Sequence, residues 1–395
     1  MKSILAPIFA AIPLLTNINA QAFDRLQFDN VGFEGSYYPV KKIENEDDKT
    51  TCFCEQEEEY FFKGPNSPLS EYLSVHFRGP ISIKQFGFYT SERFVIGDTS
   101  DNNSSDWTRD SYYNDAQQTA DNVTFLNLQG DISPCLGPAL TLANSDGIKT
   151  AFDPTVLENN NYLSSGNEII IYSGAKCSKS QRKKGCGIYR KGIPAYYGFN
   201  GNTKMFLFEF SMPTDAQGSN DTIRNFNMPG IWLLNDHIAR TAEYPTDNRC
   251  SCFASGCGGY DIFKVTDPDN TDRLYSNVRT LQNNGNATIG MQSSGYIQRA
   301  TNGTMKGGVV FDSEGNIVSF ISSQANFDDI VKSSDVNSWL SAIVSNESTT
   351  TTLMSVSSTS RKWSWKNEGK VLIPSGNSII SYFFAFAVAT FQLIL

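Results

Sequence analysis

The sequence predicts an all-β protein, a β-sandwich or jelly roll with a smaller β unit ahead of it. Three observations predict this. Short runs of β-branched and aromatic residues recur along the chain, as at Ile169-Ile170-Ile171-Tyr172 and Met205-Phe206-Leu207-Phe208. Turn-forming clusters separate them, as at Asp312-Ser313-Glu314-Gly315-Asn316. Helical periodicity is sparse and does not alternate with strands, which argues against an α/β sheet.

Taken in order, residues 1–22 read as a secretory signal peptide. Met1-Lys2 supplies the positive start and residues 4–15 the apolar run; Ala20-Gln21-Ala22 offers the cleavage site, with cleavage after Ala20 as the alternative. Residues 23–97 read as the N-terminal β unit. It holds strand-like segments near Phe28 to Phe33 and at Tyr37-Tyr38-Pro39-Val40, then acidic runs on either side of Cys52-Phe53-Cys54. Two further strands, 73–77 and 81–89, are separated by Gly79-Pro80. A polar linker is placed at 98–105.

The main domain is placed at 106–345, with its best strands at 169–172, 203–212, 230–234, 260–265 and 308–311. The last leads through a turn into 317–321 as a hairpin, and one short helix is expected at 334–344. Residues 346–367, rich in Ser and Thr, read as an O-glycosylated stalk that buries no core. Residues 368–395 read as the propeptide of a glycosylphosphatidylinositol (GPI) anchor, an apolar tail behind a spacer. Asn367 fits the attachment site best, with Gly369 and Ser375 as rivals. Sequons at Asn102, Asn103, Asn122, Asn220, Asn286, Asn302 and Asn346 mark candidate N-glycosylation loops.

The chain of 395 residues carries 32 basic and 41 acidic side chains, a net charge of -9. That balance excludes the basic face a nucleic-acid partner needs, and the acidity serves solubility. Eight cysteines in a secreted chain imply disulfides of open connectivity. Zinc at Cys250, Cys252 and Cys257 is disfavoured by two histidines in all, the lack of a C-x-x-C pair and an oxidising compartment; no metal or cofactor is expected.

Period-two alternation puts Phe206, Phe208 and Phe210 on one face of a strand as core. Glu209 then lies on the other face, either in solvent or lining a groove. Trp232 in Gly230-Ile231-Trp232-Leu233-Leu234-Asn235 is either a core ring or a platform for a sugar's C–H face.

Met228 to Asn235, Ile238-Ala239-Arg240-Thr241, Cys250-x-Cys252-x4-Cys257-Gly258 and Tyr260-Asp261-Ile262-Phe263 resemble the fungal cell-wall family of circularly permuted endo-β-1,3-glucanases. So do Ser74 to Pro80 and Thr203 to Pro213. The resemblance implies a circularly permuted, concanavalin-like jelly roll similar to the laminarinase type (glycoside hydrolase family sixteen), binding or remodelling wall β-1,3-glucan at the cell surface. Trp232, Asn235 and Glu209 become candidate substrate contacts.

The active strand of that fold carries Glu-x-Asp-x-x-Glu: nucleophile, tuning Asp, and acid/base, with a bulge returning the last Glu to the working face. Laid on Gly259-Tyr260-Asp261-Ile262-Phe263-Lys264, only Asp261 survives; Gly259 and Lys264 occupy the glutamate positions. Retaining hydrolysis needs two carboxyls about 5–5.5 Å apart. A glycine attacks nothing, and a lysine cannot stabilise a cationic transition state. The expectation is a glucan-binding wall protein with impaired catalysis. The alternatives are an active glucanase or transglycosylase using substitute acids (Glu209, Asp267 or Asp269), and a surface protein unrelated to sugar. The same bulge would let Lys264 reach Asp261 as a structural ion pair.

Overall fold

The computed structural model describes residues 21–98, 104–177, 186–190, 192–216, 223–236, 245–341 and 348–354. The expected signal segment up to residue 20, the Ile238 to Thr241 string, the anchor propeptide, Asn367 and the sequons Asn102, Asn103, Asn220 and Asn346 lie outside the described residues.

Numbered in chain order, the main strands are β1 (Arg25–Asp29), β2 (Leu73–Arg78), β3 (Ser82–Thr90), β4 (Trp107–Asn114), β5 (Thr124–Asn127), β6 (Glu168–Tyr172) and β7 (Lys204–Ser211). They continue with β8 (Gly230–Asn235), β9 (Gly259–Lys264), β10 (Arg273–Arg279), β11 (Met305–Phe311), β12 (Ile317–Ile321) and β13 (Ser348–Thr352). The first sheet runs Ile330–Val331, β4, β3, β7, β11, β12, β1, β13. The second runs Thr150–Ala151, Thr141–Ala143, β5, β6, β2, β8, β9, β10, Met291–Gln292. The chain passes back and forth between the two, giving a β-sandwich of the jelly-roll class.

Alternation explains how the sheets meet. Phe206, Phe208 and Phe210 point from β7 into the core between the layers. Phe208 meets Phe77 of β2 edge-on at 5.7 Å, and Phe210 stacks on Phe263 of β9 at 5.6 Å. Leu207, on the opposite face of β7, is buried as well. It belongs to a second cluster with Val310 and Phe320, which α1 (Ser333–Ser341) covers with Val336, Trp339 and Leu340. That three-and-four spacing is the apolar stripe a helix needs to lie on a sheet.

Two boundaries read from the sequence need correction. A small N-terminal β unit exists, but it is confined to the paired strands Gly35–Tyr37 with Tyr60–Phe62 and Val40–Glu44 with Phe53–Gln56. The rest of 23–97 is built into the sandwich: β1 and β3 into the first sheet, β2 into the middle of the second. Local alternation identifies a strand but not its partner, and β1 pairs with β12 and β13, some three hundred residues away.

The expected Ser/Thr stalk is the second. Its residues 348–352 form β13, parallel to β1 in the register Arg25↔Ser348 to Asp29↔Thr352. Leu353 follows, buried in the main core, its N–H donating to Asp29 O at 2.9 Å. A threonine run lacks core side chains, yet threonine is β-branched and an edge strand needs little beyond its backbone ladder.

The eight cysteines pair as Cys52–Cys135, Cys54–Cys250, Cys177–Cys186 and Cys252–Cys257. The sulfurs of Cys54, Cys135 and Cys250 lie within 4.8 Å of one another as parts of two adjacent bridges. The second bridge ties the small N-terminal unit to the loop that leads into β9.

Because Leu353 is core rather than stalk, Leu353→Ala should destabilise the protein by about 2–4 kcal/mol, the cost of truncating a buried leucine. A shift of the urea midpoint measures it; a change within about 0.5 kcal/mol, the surface value, would return the residue to the stalk.

Candidate functional site

The site grows from a bulge. β8 and β9 pair with Ile231 opposite Phe263 and Trp232 opposite Asp261, so Ile262 is one residue too many. Strict alternation would send residues 261 and 264 to opposite faces. The extra residue returns Lys264 to the side of Asp261, away from the core that takes Tyr260, Ile262 and Phe263.

There Lys264 Nζ donates to Asp261 Oδ1 at 2.9 Å, and Arg279 Nε, from β10, donates to Oδ2 at 2.6 Å. The aspartate side chain is 1% exposed, those of Lys264 and Arg279 16% and 21%. Burial alone would raise the Asp261 pKa, but the two cations outweigh it and hold the carboxyl below the usual aspartate range. Burial draws the Lys264 ammonium down from the ordinary lysine range, with Asp261 opposing.

A cleft of about 890 Å³ opens over this floor, lined by Gly259, Lys264, Arg279, Trp232, Arg78 and Glu168 together with residues of the flanking loops. Trp232 is nearly buried. One side of its ring stacks on His76 at 5.1 Å, and the Lys264 ammonium sits 4.6 Å from its centroid. His76 Nδ1 and Glu168 Oε1 are 2.8 Å apart, while His76 Nε2 lies 2.9 Å from Ser74 Oγ. The order Ser–His–Glu matches the wiring of a hydrolase triad. Ser74 and His76 are fully buried, however, and the serine hydroxyl also lies 3.2 Å from Leu234 O. The chain of bonds therefore supports Trp232 and orients Glu168 rather than presenting a nucleophile. Glu168 is the one carboxylate among the described lining residues.

Space at Gly259 is also closed. A Cβ there would lie 2.7 Å from Leu233 O, nearer than side chains pack against a backbone carbonyl.

The family profile described as "Cell wall protein YJL171C/Tos1, C-terminal" matches residues 105–339, and its N-terminal counterpart matches 24–91. The chain belongs to the YJL171C/Tos1 family of cell wall proteins. A Saccharomyces cerevisiae protein named "Probable circularly permuted 1,3-beta-glucanase YJL171C" is 49% identical over 375 residues, 95% of this chain and 94% of that one. A similarly named Candida albicans protein, PGA52, is 44% identical over 91% of this chain and 93% of its own length. A second S. cerevisiae relative, TOS1, is 29% identical over 80% and 90%. No solved structure matches.

In this Tos1-family chain the residues singled out from sequence divide. Gly259, Lys264 and Trp232 line the cleft, with Asp261 just beneath. Asn235 does not: it is buried, its amide donating to Glu71 Oε2 at 2.8 Å and Cys257 O at 2.9 Å, a structural role. Glu209 lies on the other sheet, accepting from Gln85 Nε2 at 2.6 Å, because β7 faces the core with its phenylalanines and α1's side with Glu209. Asp267 and Asp269 form a turn beyond β9, the Asp269 N–H donating to Asp267 Oδ1 at 2.9 Å.

Among the described sequons, Asn122, Asn286 and Asn302 are exposed. The Asn122 amide nitrogen already donates to Asp110 O and Ser111 Oγ, at 2.9 and 3.0 Å, and is poorly placed to carry a sugar. Sequence reasoning missed Glu168 and Arg279. Both carried a signal: Glu168 opens the Ile169–Ile171 run, and Arg279 falls on the outward phase of β10.

Asp261→Asn leaves Lys264 and Arg279 facing each other without a counter-charge and should cost about 3–5 kcal/mol, as breaking a buried pair does. The carboxylate's contribution is complete above the unfolded aspartate pKa and lost as pH falls through the depressed folded value. Unfolding midpoints across the acid range should therefore fall less steeply for Asp261→Asn than for the unaltered protein.

Proposed function

We propose that this wall protein binds and organises β-1,3-glucan through the cleft on the second sheet, without running the two-carboxylate hydrolysis its fold is built for elsewhere. One observation carries the reading: the Asp261 carboxylate is committed to Lys264 and Arg279 on the strand where a glycosidase keeps its acids. A retaining glycosidase passes through an oxocarbenium-like state, which carboxylates stabilise and cations oppose. With Gly259 at one glutamate position and Lys264 at the other, the charge at that point has changed sign. Trp232 and the cleft walls remain as a platform for a sugar chain.

A second reading has one observation in its favour. Glu168 lines the cleft and is hydrogen-bonded to His76, so an acid is present at the wall if not on the floor. A hydrolase or transglycosylase would have to work through it.

At the chain's ends, the order of a charged start, a short apolar run and a small-residue cleavage site supports a secreted protein. A terminal apolar tail behind small residues supports a GPI lipid, attached at Asn367, that holds it at the membrane or wall.

Incubation of the purified protein with laminarin should yield no new reducing ends and no change in chain-length distribution, while the polysaccharide retains the protein in a pull-down. Release of oligosaccharides at an ordinary glucanase rate, abolished by Glu168→Gln, would instead establish the second reading.

A further inference from the structure

The charge of the cleft is opposite to that of the molecule. The chain as a whole carries -9. The described lining of the cleft carries four cationic side chains, Arg78, Arg224, Lys264 and Arg279, against the single carboxylate of Glu168. Below them Asp261, 1% exposed, is one acid shared by two cations; counting it with Glu168 against the four cations still leaves the cleft with a surplus of positive charge. Both Lys264 and Arg279 line the cleft; Arg279 gives Nε to Asp261 and one terminal nitrogen to Thr288 O, leaving N–H donors on its other terminal nitrogen. Asp261 takes one of the three hydrogens of the Lys264 ammonium, whose other neighbour on this side is the Trp232 ring at 4.6 Å. Arg224 stands exposed at the rim.

A neutral glucan can accept hydrogen bonds from these cations but leaves their charge uncompensated. Its hydroxyls bond equally well to carboxylates and amides, and a glucan cleft built on acids alone would bind it. An aromatic ring beside a cluster of half-buried cations suits a sugar that also carries a negative group. The ring takes the C–H face, and the cations take the anion by charge-assisted hydrogen bonds. Low exposure makes those bonds count for more than the same cations would on an open surface.

We propose that the cleft recognises a glycan chain bearing an anionic substituent, a phosphate ester or a carboxylate, seated on Lys264 and Arg279 beside Trp232. The proposal rests on the reading of the cleft as a glycan site, and narrows its ligand. The lysine at position 264 is then a specificity determinant rather than a vestige of a lost acid.

The test titrates the full-length protein with three probes of matched chain length: neutral laminarin oligosaccharide, its carboxymethylated form and its phosphorylated form. The charged probes should bind about tenfold tighter than the neutral one at low ionic strength, as bonds to charged groups do, and lose much of that lead in high salt. The tighter of the two charged arms names the anion.

Lys264→Gln leaves Asp261 paired to Arg279, and Arg224→Gln changes an exposed residue clear of the buried pair. For Lys264→Gln the ratio of charged to neutral affinity should fall toward one, and for Arg224→Gln only part of the way, with unfolding midpoints showing that the fold is retained. Equal binding of all three probes overturns the proposal and leaves the glucan-binding reading standing. Failure of every probe overturns both. A charged-probe preference that both substitutions leave untouched places the anion elsewhere on the protein and also overturns it.

Discussion

A carboxylate sealed between two cations sets the terms for the second sheet. Asp261 has almost no contact with water, so its charge depends on Lys264 and Arg279 being where they are. Lys264 arrives only because Ile262 is inserted as a bulge, and Arg279 only because β10 pairs in a register that places it beside Gly259. Trp232, opposite Asp261, has His76 stacked on it at 5.1 Å and the Lys264 ammonium 4.6 Å from its ring centroid. One ion cluster thus fixes the bulge, the register of three strands and the attitude of the aromatic platform.

Family membership and site chemistry are decided by different residues. The matches to other Tos1-family proteins extend over nearly the whole chain. What the cleft does to a ligand depends on a few side chains at its floor. A fold can be kept while the chemistry grafted on it changes; at Gly259 a methyl group would lie 2.7 Å from Leu233 O.

Much of the fold was legible because period-two alternation is a local property. The phenylalanine face of β7, the strands β8, β9 and β12, and the hairpin after β11 follow directly from residue order. So does the approach of Lys264 to Asp261 once a bulge is allowed. Pairing between distant segments is not local, and this is where the reading of the N-terminal unit and of the threonine run departed from the structure. Alternation says which residues share a face of a strand and placed Glu209 opposite the phenylalanines; that Glu209 and Asn235 stand away from the cleft depends on sheet assembly, which the family resemblance did not convey. Arg279 could be assigned outward on its own strand, but its meeting with Asp261 depends on a register that only the assembled sheet supplies.

The bridge between Cys54 and Cys250 has a bearing on how this molecule survives outside the cell. It closes the intervening stretch into a covalent ring. A protease that severs one peptide bond anywhere from 55 to 249 produces two fragments still joined through sulfur. Such a nicked chain would run as one species until a reductant is added, its two pieces tethered at that point.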